Sequence, residues 1–226
     1  MEVLSDSAGA GPSSVPLFPL PNVVLFPRAV LPLHIFEERY KAMTADALAG
    51  ERLVAIALLR PGWEKDYYQR PAIEPVVCVG KILNWEKLAD GKYNFLLQGQ
   101  MRATVIGEED STPYRIARVE PLPQTNVLEI DLTNERQQLM EMLCCGPLAS
   151  TPAGVELKKI LTSPLPTHEV ADLIAFHVLN QAALKQSLLA EPNIARRVRR
   201  LVAALDAALP ILEVIATGSS ESGSSN

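Results

Sequence analysis

Val-Pro-Leu-Phe-Pro-Leu-Pro-Asn-Val-Val-Leu-Phe-Pro-Arg-Ala-Val-Leu-Pro-Leu-His-Ile-Phe-Glu-Glu-Arg-Tyr, residues 15–40, is the stretch whose reading decides the fold. The prolines Pro16, Pro19, Pro21, Pro27 and Pro32 cut an otherwise apolar run into short extended pieces. Proline has no N–H to donate to a central ladder, and it pushes the residue before it toward β or polyproline geometry. The stretch is therefore expected to follow sheet edges and turn corners, with Leu17, Phe18, Val24, Phe26, Leu31, Leu33 and Ile35 filling the interior. After it the pattern changes. Phe36, Tyr40, Met43, Thr44, Ala47 and Leu48 recur at helical spacing, and Gly50 is placed to end that helix in a left-handed conformation.

Downstream, Leu53–Leu59 is a continuous apolar run between Gly50 and Pro61-Gly62, the pattern of a strand covered on both faces. Val76–Leu83 is rich in β-formers, Asp90-Gly91 signals a tight turn, and Tyr93, Phe95 and Leu97 alternate on the return strand. Together they define a hairpin. Two further strands are expected at Met101–Ile106 and Tyr114–Glu120. Short connections and an antiparallel order point to a small closed or nearly closed barrel, which leaves few exposed edges.

Pro121–Asp131 holds two prolines and then turns polar, and the boundary between two parts falls there. Beyond it the apolar spacing is helical. Thr133 or Asn134 is placed to cap a helix carrying Leu139, Met142 and Leu143 inward, and Gly146-Pro147 breaks it. A short helical piece with Leu157, Ile160 and Leu161 follows. Thr167 is placed to cap the next helix, with Glu169 near its positive end and Val170, Leu173, Ile174, His177, Val178 and Gln181 on its inner stripe. Pro192 marks the start of a last amphipathic helix through Val198, Leu201 and Leu205, with an end or kink at Pro210. Residues 1–13 and 217–226, rich in Ser, Gly and Ala, are expected to be loose.

Composition bounds the function. A net charge of −5 with a pI near 5.3 argues against a broad nucleic-acid-binding face. No run approaches the roughly 20 apolar residues of a membrane span, and the N-terminus lacks the pattern of a secretory signal. Cys78, Cys144 and Cys145 form neither a disulfide framework nor a zinc spacing. They read as small buried hydrophobes of a reduced, cytoplasmic protein.

The runs Pro-Leu-Phe-Pro-Leu-Pro-Asn-Val-Val-Leu-Phe-Pro (16–27) and Pro-Leu-His-Ile-Phe-Glu-Glu-Arg-Tyr (32–40) resemble the start of the N-terminal substrate-binding domain of Lon proteases. Val-Gly-Lys-Ile (79–82), Asp-Gly-Lys-Tyr-Asn-Phe-Leu-Leu-Gln-Gly (90–99) and Tyr-Arg-Ile-Ala-Arg-Val-Glu (114–120) are similar to later segments in the same order. The resemblance implies an α+β fold. A PUA-like β pseudo-barrel with one helix (14–123) would be followed by a C-terminal α-helical bundle (124–216). It also implies a non-catalytic module that engages unfolded or degron-bearing polypeptide, or a protease or chaperone component. The sequence shows no G-x-x-x-x-G-K-[ST] phosphate loop and no peptidase serine motif, so the family's catalysis does not carry over and no cofactor is expected.

Four aromatics are the candidate polypeptide-binding residues: Trp63, Tyr67 and Tyr68 in one polar loop, and Trp85 close to a turn. Rigid aromatics supply large contact area at small entropy cost, although they can equally fold back over a barrel end. His34, His168 and His177 lie far apart without metal-ligand spacing and read as core or half-buried residues; no metal site and no catalytic residue is expected. Glu37, Glu38 and Arg39 fit local pairing in a first helical turn better than acid–base work. Arg196, Arg197, Arg199 and Arg200 form the one dense basic cluster. It reads as a solvated face pairing with acids such as Glu191. An RNA- or small-ligand-binding PUA-like protein is the alternative.

Overall fold

In a computed structural model the chain is described over residues 13–109, 113–145, 149 and 151–221, with side chains described to residue 208. It is an α+β protein that divides between Leu122 and Pro123 into two compact units. The first holds six strands and one helix: β1 (Ser13–Leu20), β2 (Val30–Ile35), α1 (Glu38–Ala49), β3 (Leu53–Leu58), β4 (Val76–Lys87), β5 (Tyr93–Glu109) and β6 (Arg115–Pro121). The strands lie in the order β2-β5-β4-β3-β1-β6, and a further β5–β6 pairing closes five of them into a barrel with β2 added outside.

The prolines explain how β1 crosses this barrel. Residues Ser13–Leu17 pair with β6, residues Leu17–Leu20 pair with β3, and Leu17 alone is flanked on both sides. Pro16 and Pro19 therefore each stand where the strand has a neighbour on one edge only, the place a residue without an N–H is tolerated. Pro32 sits in β2, the outermost strand of the sheet. One expectation fails here. β1 and β3 are parallel, joined by the crossover through β2 and α1, so the order is not purely antiparallel.

β5 is a single 17-residue strand where the sequence predicts two. Its first half pairs with β2 and its second half with β6 along the same edge, while β4 runs along the other. The change of partner occurs at Gly99-Gln100, where Val79/Gly80 of β4 oppose Met101 and Gly99 and the strand bulges without turning back. Gly99 is required at that point. A Cβ there would lie 2.0 Å from the Phe26 carbonyl oxygen. The Arg28 N–H donates to the Gly99 carbonyl (2.7 Å), and the Gly99 N–H donates to the Ala29 carbonyl (2.9 Å).

The barrel interior is filled by small residues from several strands, among them Val15, Leu17, Ala55, Val79, Ala103 and Val119. Small side chains fit the narrow bore of a five-stranded closure. Strand alternation turns Phe18 to the opposite face, where its ring meets Tyr40 of α1 at 4.4 Å. Val24, Phe26 and Ile35 are buried as expected, but Leu31 and Leu33 are only half-buried and Phe36 is 60 % exposed. An outermost strand has no second sheet to cover it. The end of α1 also differs: Gly50 has φ −106°, and Arg52 instead takes the left-handed conformation (φ 64°) while its N–H bonds the Ala47 carbonyl.

The second unit is helical: α2 (Thr133–Cys144), α3 (Pro152–Leu161), α4 (Thr167–Val178), α5 (Ala182–Leu189) and α6 (Ile194–Glu221). Leu139, Leu143, Leu157, Ile174, Val198 and Leu201 are among its buried residues, and Met142, Ile160 and Leu173 are half-buried. Its caps differ from the expected ones. Thr133 lies within α2. Thr167 is already helical, and the Glu129 carboxylate from the 3-10 turn ahead of α2 (Glu129–Leu132) accepts its backbone N–H (3.0 Å) and its hydroxyl, supplying the anion at the start of α4. Asn193, after Pro192, caps α6 by accepting the Arg196 N–H (2.9 Å). Arg136 donates to the carbonyls of Leu161, Ser163 and Leu165 where α3 ends. Pro210 does not end α6, which continues past Thr217, where composition predicts loose chain. The expected break at Gly146-Pro147 lies outside the described residues.

Replacing Gly99 with Ala sets a methyl group against a backbone carbonyl that cannot rotate away. The expected loss is about 3 kcal/mol or more of stability, checked by urea unfolding. A midpoint unchanged from the native chain would show that the corner at Phe26 can yield.

Candidate functional site

The aromatic loop is the connection from β3 to β4. Its base is laced by the Arg60 N–H to the Ala72 carbonyl and the Glu74 N–H to the Leu58 carbonyl. Gly62, with φ 89°, turns the chain into a 3-10 turn over Trp63–Asp66. Trp63 and Tyr67 meet edge-on at 5.5 Å, and Tyr67 meets Tyr68 at 5.1 Å. The structure thus brings three of the four candidate residues together.

What holds them is the first turn of α1. Arg39 donates through Nε to Glu37 Oε2 (3.0 Å) and through Nη1 to the Tyr67 carbonyl (3.2 Å). The Tyr67 hydroxyl donates to Glu37 Oε1 (2.6 Å). The guanidinium lies over the rings of Tyr40, Tyr67 and Tyr68 at 4.5, 4.8 and 5.7 Å. Each such contact contributes about 0.5–1 kcal/mol where partly exposed. Local pairing of Glu37 and Arg39 is as expected, and Lys41 pairs with Glu38. Their hold on a loop some 30 residues away has no signature in sequence spacing. The loop both folds back and remains displayed: Tyr67 is tied down, Trp63 is half-buried and Tyr68 is 87 % exposed.

Beneath the loop is a cavity of about 240 Å³ bounded also by α1 and the start of β6. Tyr40, Tyr67, Tyr68, Tyr114, Arg70 and Arg115 line it. Arg115 is held by Glu108 through Nε (2.8 Å) and Nη2, and its Nη1 donates to the Pro71 carbonyl. Burial pushes the Tyr40 phenol up to about 12, against the opposing pull of Arg39. Tyr114 also rises to about 12, through burial and the hydrogen bond it donates to Asp46 (2.7 Å). Burial and its bond to Glu37 raise Tyr67 as well. These phenols stay protonated at neutral pH, and with the Tyr67 and Tyr114 hydroxyls donated to Glu37 and Asp46 those two residues present ring faces, not bases.

Trp85 is elsewhere. It lies beside Tyr93 (6.4 Å between rings), 47 % exposed, in an open groove of about 450 Å³ shared with Pro32, His34 and Asn94. His34 Nδ1 and Asn94 Oδ1 are 2.7 Å apart, and His34 is exposed, not part of the core. His177 is exposed too and so leaves the inner stripe of α4, while His168 is half-buried and its burial lowers its pKa. Cys78 is buried, Cys144 partly so, and Cys145 is exposed, contrary to the expected burial of all three. Among the described residues no group of three or more His, Cys, Asp or Glu is arranged to hold a metal ion. No helix there is long and apolar enough to cross a membrane.

The basic cluster does not form one solvated face. Arg197 is 1 % exposed, paired with buried Asp172 (3.3 Å) and donating to the Glu191 carbonyl and Gln124 Oε1. Arg196 and Arg200 pair with Glu191, as expected, and Arg199 with Glu135. Asp172, the acid that draws Arg197 inward, lies 25 residues away on another helix and gives no local signal.

A closed β unit followed by a helical unit defines an α+β class that solved structures share. The N-terminal domain of the Mycobacterium avium complex Lon protease superposes with a TM-score of 0.63 at 18 % identity, covering 86 % of this chain and 98 % of that one. A Lon N-terminal domain protein from Xanthomonas campestris gives 0.60 at 22 %, covering 84 % and 98 %. These likenesses show the fold. The model of the ATP-dependent protease La (LON) substrate-binding domain matches residues 14–207, and the chain belongs to that family. It is 27 % identical over 214 residues to a Lon protease of Anaeromyxobacter dehalogenans and 29 % over 209 residues to a Lon protease 2 of Sorangium cellulosum. The alignments cover 90 % and 89 % of this chain but only 24 % and 25 % of those proteins. The chain spans about a quarter of its relatives' length, the substrate-binding part and not the ATPase or protease parts.

The raised pKa of Tyr40 sets a pH dependence. An unfolded tyrosine ionises near 10, below the folded value, so the stabilisation is complete below about pH 10 and is lost as pH rises toward 12. Between about pH 9 and pH 11 the native chain should lose about 1 kcal/mol more than a Tyr40→Phe variant, read by urea unfolding. Parallel pH curves would show that Tyr40 ionises as freely as in water.

Proposed function

We propose that this chain is a polypeptide-recognition module that acts by binding and carries out no chemistry of its own. The observation that carries the reading is the match to the LON substrate-binding domain over residues 14–207. The clients in view are unfolded or degron-bearing polypeptides, or a component of a protease or chaperone, in the cytoplasm. The loop of Trp63, Tyr67 and Tyr68 supplies the main contact surface. Exposed Tyr68 and half-buried Trp63 offer apolar area, and Arg39 and Glu37 keep that area ordered before a client arrives. An ordered paratope loses less entropy on binding than a mobile loop. Trp85 and its groove form a second, separate contact.

A reduced, carboxymethylated protein labelled with a fluorophore provides a permanently unfolded client for anisotropy titration. Binding is expected, with Trp63→Ala/Tyr68→Ala weakening it at least about tenfold, the scale of an aromatic contact worth 1.4 kcal/mol or more. Trp85→Ala should weaken it less, and Val155→Ala, on the exposed side of α3, should leave it unchanged. Absence of binding at any accessible concentration would refute the reading.

A further inference from the structure

The cavity beneath the aromatic loop has a one-sided chemistry. Its lining includes Arg39, Arg70 and Arg115, and no Asp or Glu is found among its described lining residues. Glu37 and Glu108 ion-pair with these arginines (3.0 Å to Arg39, 2.5 Å to Arg115, 3.9 Å to Arg70), which orients their N–H groups, yet neither acid lines the cavity. The hydroxyls of Tyr67 and Tyr114 are spent on Glu37 and Asp46, so those residues offer ring faces. Pro19, Pro71 and Pro113 complete an apolar wall. At about 240 Å³ the space is smaller than the roughly 300–1,000 Å³ of a common ligand cleft, and it suits one residue better than a run of chain.

We propose that this cavity captures the C-terminal residue of a polypeptide, its free carboxylate against the arginines and its apolar side chain against the proline wall. The inference rests on the polypeptide-binding reading above and specifies which end of the client is held. Arg39 and Arg115 each commit three of their five N–H groups to Glu37 or Glu108 and to a backbone carbonyl, and an incoming carboxylate would be met by the remaining N–H groups, which recognise it by direction as well as by charge. An inorganic anion would use the arginines but leave the apolar wall unfilled. An internal segment would have to bend into a space sized for a chain end.

Two fluorescein-labelled decapeptides of identical Gly/Ser-rich sequence ending in leucine, one with a free C-terminal carboxylate and one amidated, are titrated against the full chain at low salt. The free acid is expected to bind at least about tenfold tighter than the amide. Arg70→Gln, at a side chain 42 % exposed, should reduce the difference to within about twofold while circular dichroism stays native. Equal binding of acid and amide to the native chain would overturn the proposal, whatever the variant does. Should neither peptide bind while the unfolded protein does, C-terminal capture fails alone and polypeptide recognition stands. Should nothing bind, both readings fall.

Discussion

The first unit depends on one close approach: the carbonyl of Phe26 lying over Gly99, with Arg28 and Ala29 bonded to the same residue. At that contact the proline-rich chain stops lining the barrel and joins the outer edge of β5. The contact places β2 along the first half of β5 and leaves the second half open to β6, which closes the sheet. α1 leaves directly from β2. Its first turn, with Glu37 and Arg39, is thereby carried to the loop after β3. A side chain at residue 99 would separate these layers, and the loop would lose its anchor.

The loop itself illustrates how a displayed surface is kept ordered. One carboxylate, Glu37, receives both a guanidinium and a phenol, and that guanidinium in turn lies over three tyrosine rings. None of these contacts is large alone, since partly exposed ion pairs contribute about 0–1 kcal/mol. Acting on one short segment they fix Tyr67 and leave Tyr68 exposed to solvent. Apolar display with little freedom to lose suits the binding role proposed above, and the raised pKa of the surrounding phenols keeps them from serving as general bases at neutral pH.

Much of the first unit was legible in sequence because its devices are local. The prolines marked one-sided strand positions, Asp90-Gly91 marked the hairpin turn, where Gly91 has φ 79°, and the alternation of Tyr93, Phe95 and Leu97 marked an inward face. Gly99 falls between the return strand of the hairpin and the strand expected at Met101–Ile106, since a bulge and a strand end look alike in one dimension. The parallel pairing of β1 with β3 is hidden for another reason: the crossover through β2 and α1 joins segments some 38 residues apart, which no local spacing encodes. In the second unit, helices were legible from periodicity, but their caps were not. Glu129 reaches Thr167 from 38 residues away and Asp172 buries Arg197 across helices, contacts that no spacing rule encodes. At the site, aromatic crowding flagged Trp63, Tyr67 and Tyr68, whereas Arg39 passed as an ordinary first-turn charge.

Amide hydrogen exchange on the full chain, with and without a saturating unfolded client, tests the central claim most directly, because it maps protection without altering any residue. Protection concentrated in residues 63–71 and at the start of β6, near Tyr114, is the predicted result. Protection confined to the helical unit, or none at all in the β3–β4 connection, would contradict the account.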